Sequence, residues 1–274
     1  MPTSRSNRAR MGTDPTMVVH VGTSGWQYDS WRGVLYPRKL AQRRWLERYV
    51  EVFATVENNS AFYRLPRRET FESWRARLPA DFVMAVKASR FLTHIKRLRE
   101  PEEPVRRFLD VTAGLGDRLG PVLIQLPPNL RAEPDRLDRC LSLFPRDVRV
   151  AVEPRHESWW TDDVRSLLEK RGAALCWADR QGRPVAPLWR TAGWGYLRLH
   201  EGAAHPWPKY GGQALRTWAD RLAETWADDQ DVFVYFNNDP DGAAVRDAVR
   251  FAGVIRRAGR SVTHTPSLAD TVLS

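Results

Sequence analysis

Ionisable side chains stand at the ends of several short apolar runs of the chain. Glu57, Lys87 and Glu153 each close such a run, and Arg198 and His200 close another. Carboxylates, amines and imidazoles are the groups that enzymes use to move protons, and cationic side chains bind phosphates and carboxylates. These residue types predict an enzyme acting on an anionic substrate, phosphate-bearing or sugar-like. The candidate catalytic residues are Glu57, Lys87, Glu153, Asp179 and His200.

Three of these candidates also form a ligand set that a divalent metal could use. Glu153, Asp179 and His200 end three successive runs, and two carboxylates with an imidazole can hold a cation and leave positions open for substrate. Metal-assisted phosphodiester or sugar chemistry, of the kind that hydrolases and sugar isomerases perform, is therefore one hypothesis. The eighth run offers Asn237 in place of another carboxylate. Neighbouring cations would repel a metal unless an anionic substrate separated them, so no metal ligand is assigned firmly.

Other interpretations need no metal. Lys87, Arg155 and Arg198 could clamp an anion while Glu57 or Glu153 takes a proton. A binding protein that holds an anion or a nucleic acid without catalysis is the alternative to an enzyme. The charges could also satisfy only each other, Glu57 with Lys87 and Glu153 with Arg155, as a structural ion network.

A second set of side chains is suited to hold the substrate. Aromatic rings in loops can stack on sugars or bases, and amides and cations can bind polar groups. The stretch from Lys87 to Arg99 carries six basic side chains before the first acid, Glu100. The candidate substrate-binding residues are Trp26, Asn59, Tyr63, His94, Gln125, Arg155, Trp159, Arg198, Tyr210, Asn237 and Asn238.

Eight apolar or β-branched runs alternate with helical patterns along the chain. The predicted strands are Val18 to Gly22, Phe53 to Glu57, Phe82 to Lys87, Pro121 to Gln125, Val148 to Glu153, Ala173 to Ala178, Trp194 to His200 and Asp231 to Asn237. Most are followed by apolar residues three and four positions apart, which is the spacing of an amphipathic helix. The alternation predicts an α/β protein with a single (β/α)8 barrel of the TIM type.

The predicted barrel would gather the candidate residues. In a parallel barrel the carboxyl ends of all strands lie on one rim, where barrel enzymes have their active sites. The barrel domain is predicted over residues 17–260, after a disordered leader at residues 1–16 and before a C-terminal tail at residues 261–274. Between Arg180 and Gly193, two glycines and two prolines replace a helical pattern. An irregular or short crossover is therefore predicted after strand six.

Composition limits the classes of protein and partner. The 274 residues carry a net charge of +10, with 43 basic residues, which favours a small anionic ligand or nucleic acid as partner. No run is apolar enough for a membrane helix or a secretory signal. Cys140 and Cys176 lack the spacing of a zinc site or a disulfide framework. We therefore predict a cytoplasmic protein without membrane contact, and we predict no protein partner.

Several motifs together resemble one protein family. They are Gly22-Thr-Ser-Gly-Trp26, Thr55-Val-Glu57-Asn-Asn59, Gln125-Leu-Pro-Pro128, Glu153-Pro-Arg155-His156, Arg198-Leu-His200 and Tyr235-Phe-Asn-Asn-Asp239. In this order and spacing the chain resembles the YecE-like family, the domain of unknown function seventy-two, from about Val18 to Ala248. The resemblance implies a TIM-type barrel and supplies no reaction. The roles assigned above therefore rest on the residues alone.

Overall fold

A mostly parallel β-sheet runs through residues 18–226 and 230–265, the part of the chain that the computed structural model describes. Its strands are β1 (Val18–Ser24), β2 (Thr55–Asn58), β3 (Val83–Lys87), β4 (Leu119–Gln125), β5 (Val150–Glu153), β6 (Ala174–Leu175), β7 (Trp177–Arg180), β8 (Arg183–Pro184), β9 (Gly195–Leu199), β10 (Val232–Phe236) and β11 (Ser261–Val262). All eight predicted strands are present. The predicted leader lies outside the described residues.

The sheet closes on itself through a strand that is interrupted once. β6 pairs with β5 and β7 pairs with β9, both in parallel, and only Cys176 separates β6 from β7. The Cys176 backbone N–H still donates to the Val152 carbonyl at 2.8 Å. β6 and β7 therefore occupy one position in a ring of eight parallel strands, which has the predicted TIM-type architecture.

The remaining two strand segments explain why eleven are present instead of eight. β8 pairs antiparallel with β7 and lies in the crossover after the sixth strand position, where residues 181–194 contain no helix. This agrees with the irregular crossover that the sequence predicts. β11 pairs in parallel with β1, so the segment predicted as a tail from residue 261 begins with two residues attached to the sheet.

Helices connect the other strands and cover the outside of the ring. They are α1 (Trp45–Val50), α2 (Ser60–Tyr63), α3 (Arg68–Arg75), α4 (Glu102–Thr112), α5 (Pro134–Leu141), α6 (Asp162–Arg171), α7 (Gly212–Thr225) and α8 (Ala243–Arg257). α6 begins directly after Thr161, whose hydroxyl accepts from the Val164 N–H at 3.4 Å and caps the helix. It ends at Gly172, which takes a left-handed conformation with φ of 63°. None of the described helices has the length and apolar character required to cross a membrane.

Alternate residues of each strand build two separate cores. A large core lies between the sheet and the helices, and a smaller one lies inside the ring. The inner core contains Ala85, Leu123, Ala151, Ala174, Cys176, Trp194, Tyr196, Phe233 and Tyr235. Gly22 belongs to the same interior, where a Cβ would come within 2.3 Å of the Thr55 carbonyl oxygen. Any larger residue at Gly22 would therefore push two strands apart.

Candidate functional site

A buried ion network lies at the carboxyl ends of the strands, directly above the inner core. Glu153 and Arg198 each follow an inner-core residue by two positions, and Glu57 follows Thr55, whose hydroxyl lies 2.8 Å from the hydroxyl of the inner-core Tyr235. The strand period therefore turns all three side chains into the ring. Arg198 Nη2 donates to Glu57 Oε1 at 2.8 Å, and Nη1 donates to Glu153 Oε2 at 2.7 Å. We call this triad the mouth network. Its three residues are at most 2% exposed, so one guanidinium bridges two carboxylates away from water.

Neutral donors complete the coordination of both carboxylates. The Tyr196 hydroxyl donates to Glu57 Oε2 at 2.7 Å, and the Ser24 hydroxyl donates to Glu57 Oε1 at 2.7 Å. The Gln125 amide donates to Glu153 Oε2 at 2.9 Å. A buried charge with its lone pairs satisfied is far less costly than an unpaired one. The mouth network is therefore preorganised, with little capacity to rearrange.

The charges of the mouth network remain ionised at neutral pH. Burial alone would raise the pKa of Glu57 and of Glu153, but the Arg198 guanidinium and the neighbouring hydrogen-bond donors together outweigh burial and lower both values. The pKa of Glu153 falls well below its ordinary range because His200 adds to the effect. Burial opposes the charge of Arg198, yet the two carboxylates raise its pKa. Neither glutamate is therefore prepared to carry a proton.

Three further predicted residues join Glu153 at the opening. Arg155 donates to Glu153 Oε1 through Nε and Nη2, both at 3.3 Å, and its side chain stays 35% exposed. His200 Nε2 lies 3.0 Å from Glu153 Oε1, and Asn237 Nδ2 lies 3.1 Å from His200 Nδ1. Burial lowers the pKa of His200 even though Glu153 opposes this. The imidazole is therefore neutral near pH 7 and can exchange hydrogen bonds with a ligand.

Lys87 differs from its neighbours because its amine is uncommitted. Within the described residues, Nζ has no hydrogen bond and no carboxylate oxygen within 4.0 Å. Of the two pairs in the alternative ion network, Glu57 with Lys87 is therefore not formed, whereas Glu153 with Arg155 is. Its contact is the ring of Phe62, whose centroid lies 3.8 Å away. The residue is only 8% exposed. Burial, and then the nearby Arg198 charge, lower the pKa of Lys87 to about 8.

The same aromatic ring connects Lys87 to the basic stretch that follows β3. His94 packs edge-on against Phe62 with a centroid distance of 5.0 Å, and its Nδ1 lies 2.8 Å from the Thr93 hydroxyl. Burial and the Lys87 charge lower the pKa of His94 to about 4. Part of the basic stretch is neutralised locally, since Lys96 donates to Glu100 at 2.6 Å. His94 is therefore a neutral member of the mouth.

Asp179 does not join this site, which corrects the proposed metal triad. Its carboxylate accepts from the Tyr210 hydroxyl at 2.5 Å and from Trp218 Nε1 at 2.7 Å, on the helix side of the sheet. Tyr210 is therefore a scaffold contact and not a substrate ligand. No three His, Cys, Asp or Glu side chains in residues 18–226 and 230–265 are grouped so that they could hold a metal ion. Glu153 and His200 alone do not fit a divalent metal, and Arg155 and Arg198 bind the same carboxylate.

Several other predicted binding residues also lie away from the opening. Trp26 is buried against Trp74 with a centroid distance of 5.5 Å. Trp159 is fully buried and its Nε1 donates to the Leu130 carbonyl at 2.8 Å. Asn238 is buried and donates to Asp247 Oδ2 at 2.8 Å. These three side chains are part of the packing between sheet and helices.

Two predicted residues follow β2 and differ in exposure. Tyr63 is 73% exposed and packs edge-on to Phe62 at 5.1 Å, so its ring is available to a ligand that approaches from the opening. The Asn59 Oδ1 atom is buried without a hydrogen-bond partner in the described part of the chain.

Two concave surfaces open at this end of the barrel. A cavity of about 260 Å³ is lined by Pro128, Glu153, Pro154, Arg155, Ala178, Arg180, Val185 and His200. A wider groove of about 940 Å³ runs past α2 and the short π-helix Phe91–Ile95. Four arginines line this groove: Arg64, Arg67, Arg90 and Arg107. Both surfaces are thus rich in cations, and the smaller one reaches the buried carboxylate.

The sequence did not indicate three residues of the site. Tyr196 and Ser24 hold Glu57, and Phe62 covers the Lys87 amine. The period of two along a strand could have found Tyr196, because it precedes Arg198 by two positions and must face the same side. The same rule separates Asp179 from the site, since it lies two positions after the outward-facing Trp177.

Comparison with known proteins gives one matching family model and relatives from two bacteria. The model of the family "Protein of unknown function DUF72" matches residues 20–271. The UPF0759 protein YunF of Bacillus subtilis (strain 168) is 26% identical in an alignment of 260 residues that covers 83% of this chain and 91% of YunF. The UPF0759 protein YecE of Escherichia coli (strain K12) is 26% identical over 156 residues, 57% of this chain and 55% of YecE. The match thus spans about half of YecE.

Two solved structures share the fold. A DUF72 family protein from Thermotoga maritima superposes with a TM-score of 0.76 at 26% identity, over 87% of this chain and 99% of that one. A DUF72 family protein from Enterococcus faecalis gives a TM-score of 0.75 at 18% identity, over 87% and 96% of the two chains. None of these names states an activity, so the comparison leaves the chemistry to be argued from the site.

Proposed function

Because the chain belongs to the DUF72 family of proteins of unknown function, as its motifs predicted, we propose its function from the barrel mouth alone. The protein is an enzyme that binds a small phosphate-bearing or carboxylate-bearing substrate at the mouth network and acts on it without a resident metal. The uncommitted amine of Lys87 is the observation that carries this proposal. A buried cation without a hydrogen-bond acceptor or carboxylate nearby costs folding free energy unless a ligand supplies the missing negative charge.

The charge balance of the mouth favours an anion. Lys87, Arg155 and Arg198 bring three cationic groups, while Glu57 and Glu153 bring two carboxylates. The carboxylates are already occupied by Arg198. An incoming anion would therefore meet the unpaired Lys87 and the half-exposed Arg155, and it would neutralise the remaining charge.

The proton-transfer role belongs to Lys87 in this proposal. Glu57 and Glu153 were the proton acceptors expected from the sequence, but Arg198 lowers the pKa of both. Lys87, with a pKa of about 8, is close to the range in which a general acid or base is most effective at neutral pH. The mouth network then supplies a fixed electrostatic environment for the substrate, with His200 as a neutral hydrogen-bonding partner.

Binding of inorganic phosphate or sulfate tests the proposal directly. We expect either anion to raise the melting temperature, because a ligand at about 100 times its Kd stabilises by about 2.7 kcal/mol. Lys87→Met should abolish this stabilisation. Lys96→Met is the matched control, since Lys96 pairs with Glu100 in the loop outside the mouth, and it should retain the shift. An unchanged shift in Lys87→Met would refute the proposal.

A non-catalytic nucleic-acid-binding protein is the second candidate, and the wide groove favours it. Four arginines can contact phosphates there, and the exposed Tyr63 and Phe91 can stack on bases. Affinity for a single-stranded oligonucleotide should then fall steeply with salt, and Arg90→Ala with Arg107→Ala should flatten that dependence. Absence of binding at low salt removes this candidate.

A further inference from the structure

Lys87 is chemically distinct from every other lysine of the chain. The sequence holds five lysines: Lys39, Lys87, Lys96, Lys170 and Lys209. Lys87 alone among them is buried. It lies at the end of an inner strand face, against an aromatic ring and beside a guanidinium that is itself fixed by two carboxylates. Burial and the guanidinium disfavour a second cation and so favour the neutral amine, whose nitrogen lone pair is available.

We propose that the Lys87 amine condenses with the carbonyl group of an anionic aldehyde or ketone and forms an imine at the barrel mouth. The inference rests on the proposed function, because it names the substrate class of the same site. The nitrogen lone pair forms a bond to the carbonyl carbon, and the C=O π pair moves to oxygen. One of the two N–H protons and one proton from solvent then leave with that oxygen as water, and a protonated imine, an iminium with a C=N bond and one N–H, remains.

The surrounding charges suit this reaction better than simple anion binding. The attacking amine must be neutral, and burial with the Arg198 charge lowers the pKa of Lys87 to about 8, so a useful fraction is unprotonated near neutral pH. The iminium product is positively charged again. Glu57 and Glu153 remain ionised nearby and stabilise that cation. The anionic group of the substrate can bind Arg155 at the opening.

The two thiols in the described residues are less suited to this reaction than the Lys87 amine. Cys176 lies in the inner core, where burial holds the pKa of its thiol well above the ordinary range. Cys140 is buried outside the ring, and burial raises the pKa of its thiol to about 12. Thiols in such surroundings are inert.

Reductive trapping on the full chain tests the inference. The protein is incubated with glyoxylate, an aldehyde that carries a carboxylate, together with cyanoborohydride, and its lysines are mapped by peptide mass spectrometry. We expect Lys87 to acquire the carboxymethyl adduct at least roughly tenfold faster than the four other lysines near pH 7.5, because its amine deprotonates at lower pH. Inorganic phosphate should slow labelling of Lys87 and leave the others unchanged. Propionaldehyde, which has no carboxylate, should label Lys87 more slowly than glyoxylate does.

The outcomes separate this inference from the proposed function. If phosphate raises the melting temperature but Lys87 labels no faster than the exposed lysines, the imine is excluded and anion binding stands. If Lys87 labels quickly with both aldehydes and phosphate gives no protection, the amine is reactive but the anionic class is wrong, and the proposed function fails. Lys87→Arg keeps the cation and should retain the phosphate shift while losing the adduct at this position. If Lys87→Arg loses the phosphate-induced rise in melting temperature, anion binding and imine formation by Lys87 cannot be separated, which contradicts the inference.

Discussion

Two regions of the barrel bury carboxylates at strand ends. One pairs them with a cation, and the other surrounds its carboxylate with neutral hydrogen-bond donors. In the mouth network, Glu57 and Glu153 face a guanidinium inside the ring. On the helix side of the sheet, Asp179 accepts from the neutral donors of Tyr210 and Trp218. We call the second group the outer network. Arg198 lowers the pKa of the inner carboxylates, whereas burial raises the pKa of Asp179 despite its hydrogen bonds.

The difference teaches how to separate a site from its scaffold in this fold. The outer network has neutral donors on every side and fixes α7 against the sheet. The mouth network carries fixed charges of both signs and leaves one cation, Lys87, uncommitted. A ligand can therefore change the electrostatic energy of the mouth, but the outer network offers it nothing to bind. Three variants test this contrast.

Removing the central cation should have the largest effect. Arg198→Met leaves Glu57 and Glu153 buried together without a counter-charge, and we expect a loss of about 3–5 kcal/mol in the free energy of unfolding. Denaturant unfolding at pH 7 measures it. The triple variant with Glu57→Gln and Glu153→Gln should recover much of that loss, because it removes the stranded charges. Equal stability of the single and triple variants would contradict the ion-network account.

The second variant addresses the uncommitted amine through pH. The pKa of Lys87 is about 8 in the folded chain against 10.5 for an ordinary lysine, so the unfolded chain binds more protons between these values. Stability of the wild type should therefore rise with pH across this window relative to Lys87→Met, by up to about 3 kcal/mol. Unfolding curves of both proteins at pH 7.5, 9 and 10.5 give the difference. Parallel pH profiles would show that the amine titrates normally.

The smallest effect is expected in the outer network. Asp179→Asn replaces one acceptor oxygen with an amide donor opposite Tyr210 or Trp218, which should cost about 1–2 kcal/mol. Because Asp179 faces away from the mouth, the phosphate-induced melting shift should remain as large as in the wild type. Loss of that shift would show that the two regions are coupled and that their separation is wrong.

The sequence was sufficient to predict the barrel. Each inner and outer strand face contributes apolar residues, so runs such as Val148 to Glu153 stand out regardless of tertiary context. α3 was not predicted, because Phe71 is its only buried residue and its other residues are half-buried or exposed. The break at Cys176 could not be anticipated either, since it depends on how β5 and β9 diverge around one residue.

The position of the site was easier to predict than the side chains that form it. Strand ends indicate the rim, but they do not distinguish Glu153, which faces inward, from Asp179, which faces the helices. The partner of each charge also depends on side-chain reach across the ring. The alternative ion network paired Glu57 with Lys87, but the longer fork of Arg198 takes both carboxylates instead. That choice is what leaves the lysine free.

The contact between Lys87 and Phe62 makes the position of the amine depend on its protonation state. An aromatic face attracts the ammonium form through its quadrupole and has little hold on the neutral amine. Deprotonation of the Lys87 ammonium therefore removes its attraction to the Phe62 ring. The flexible four-carbon side chain is then free to move the amine toward a ligand in the opening. The neutral amine, which the proposed imine formation requires, is thus also the form that the aromatic ring holds least.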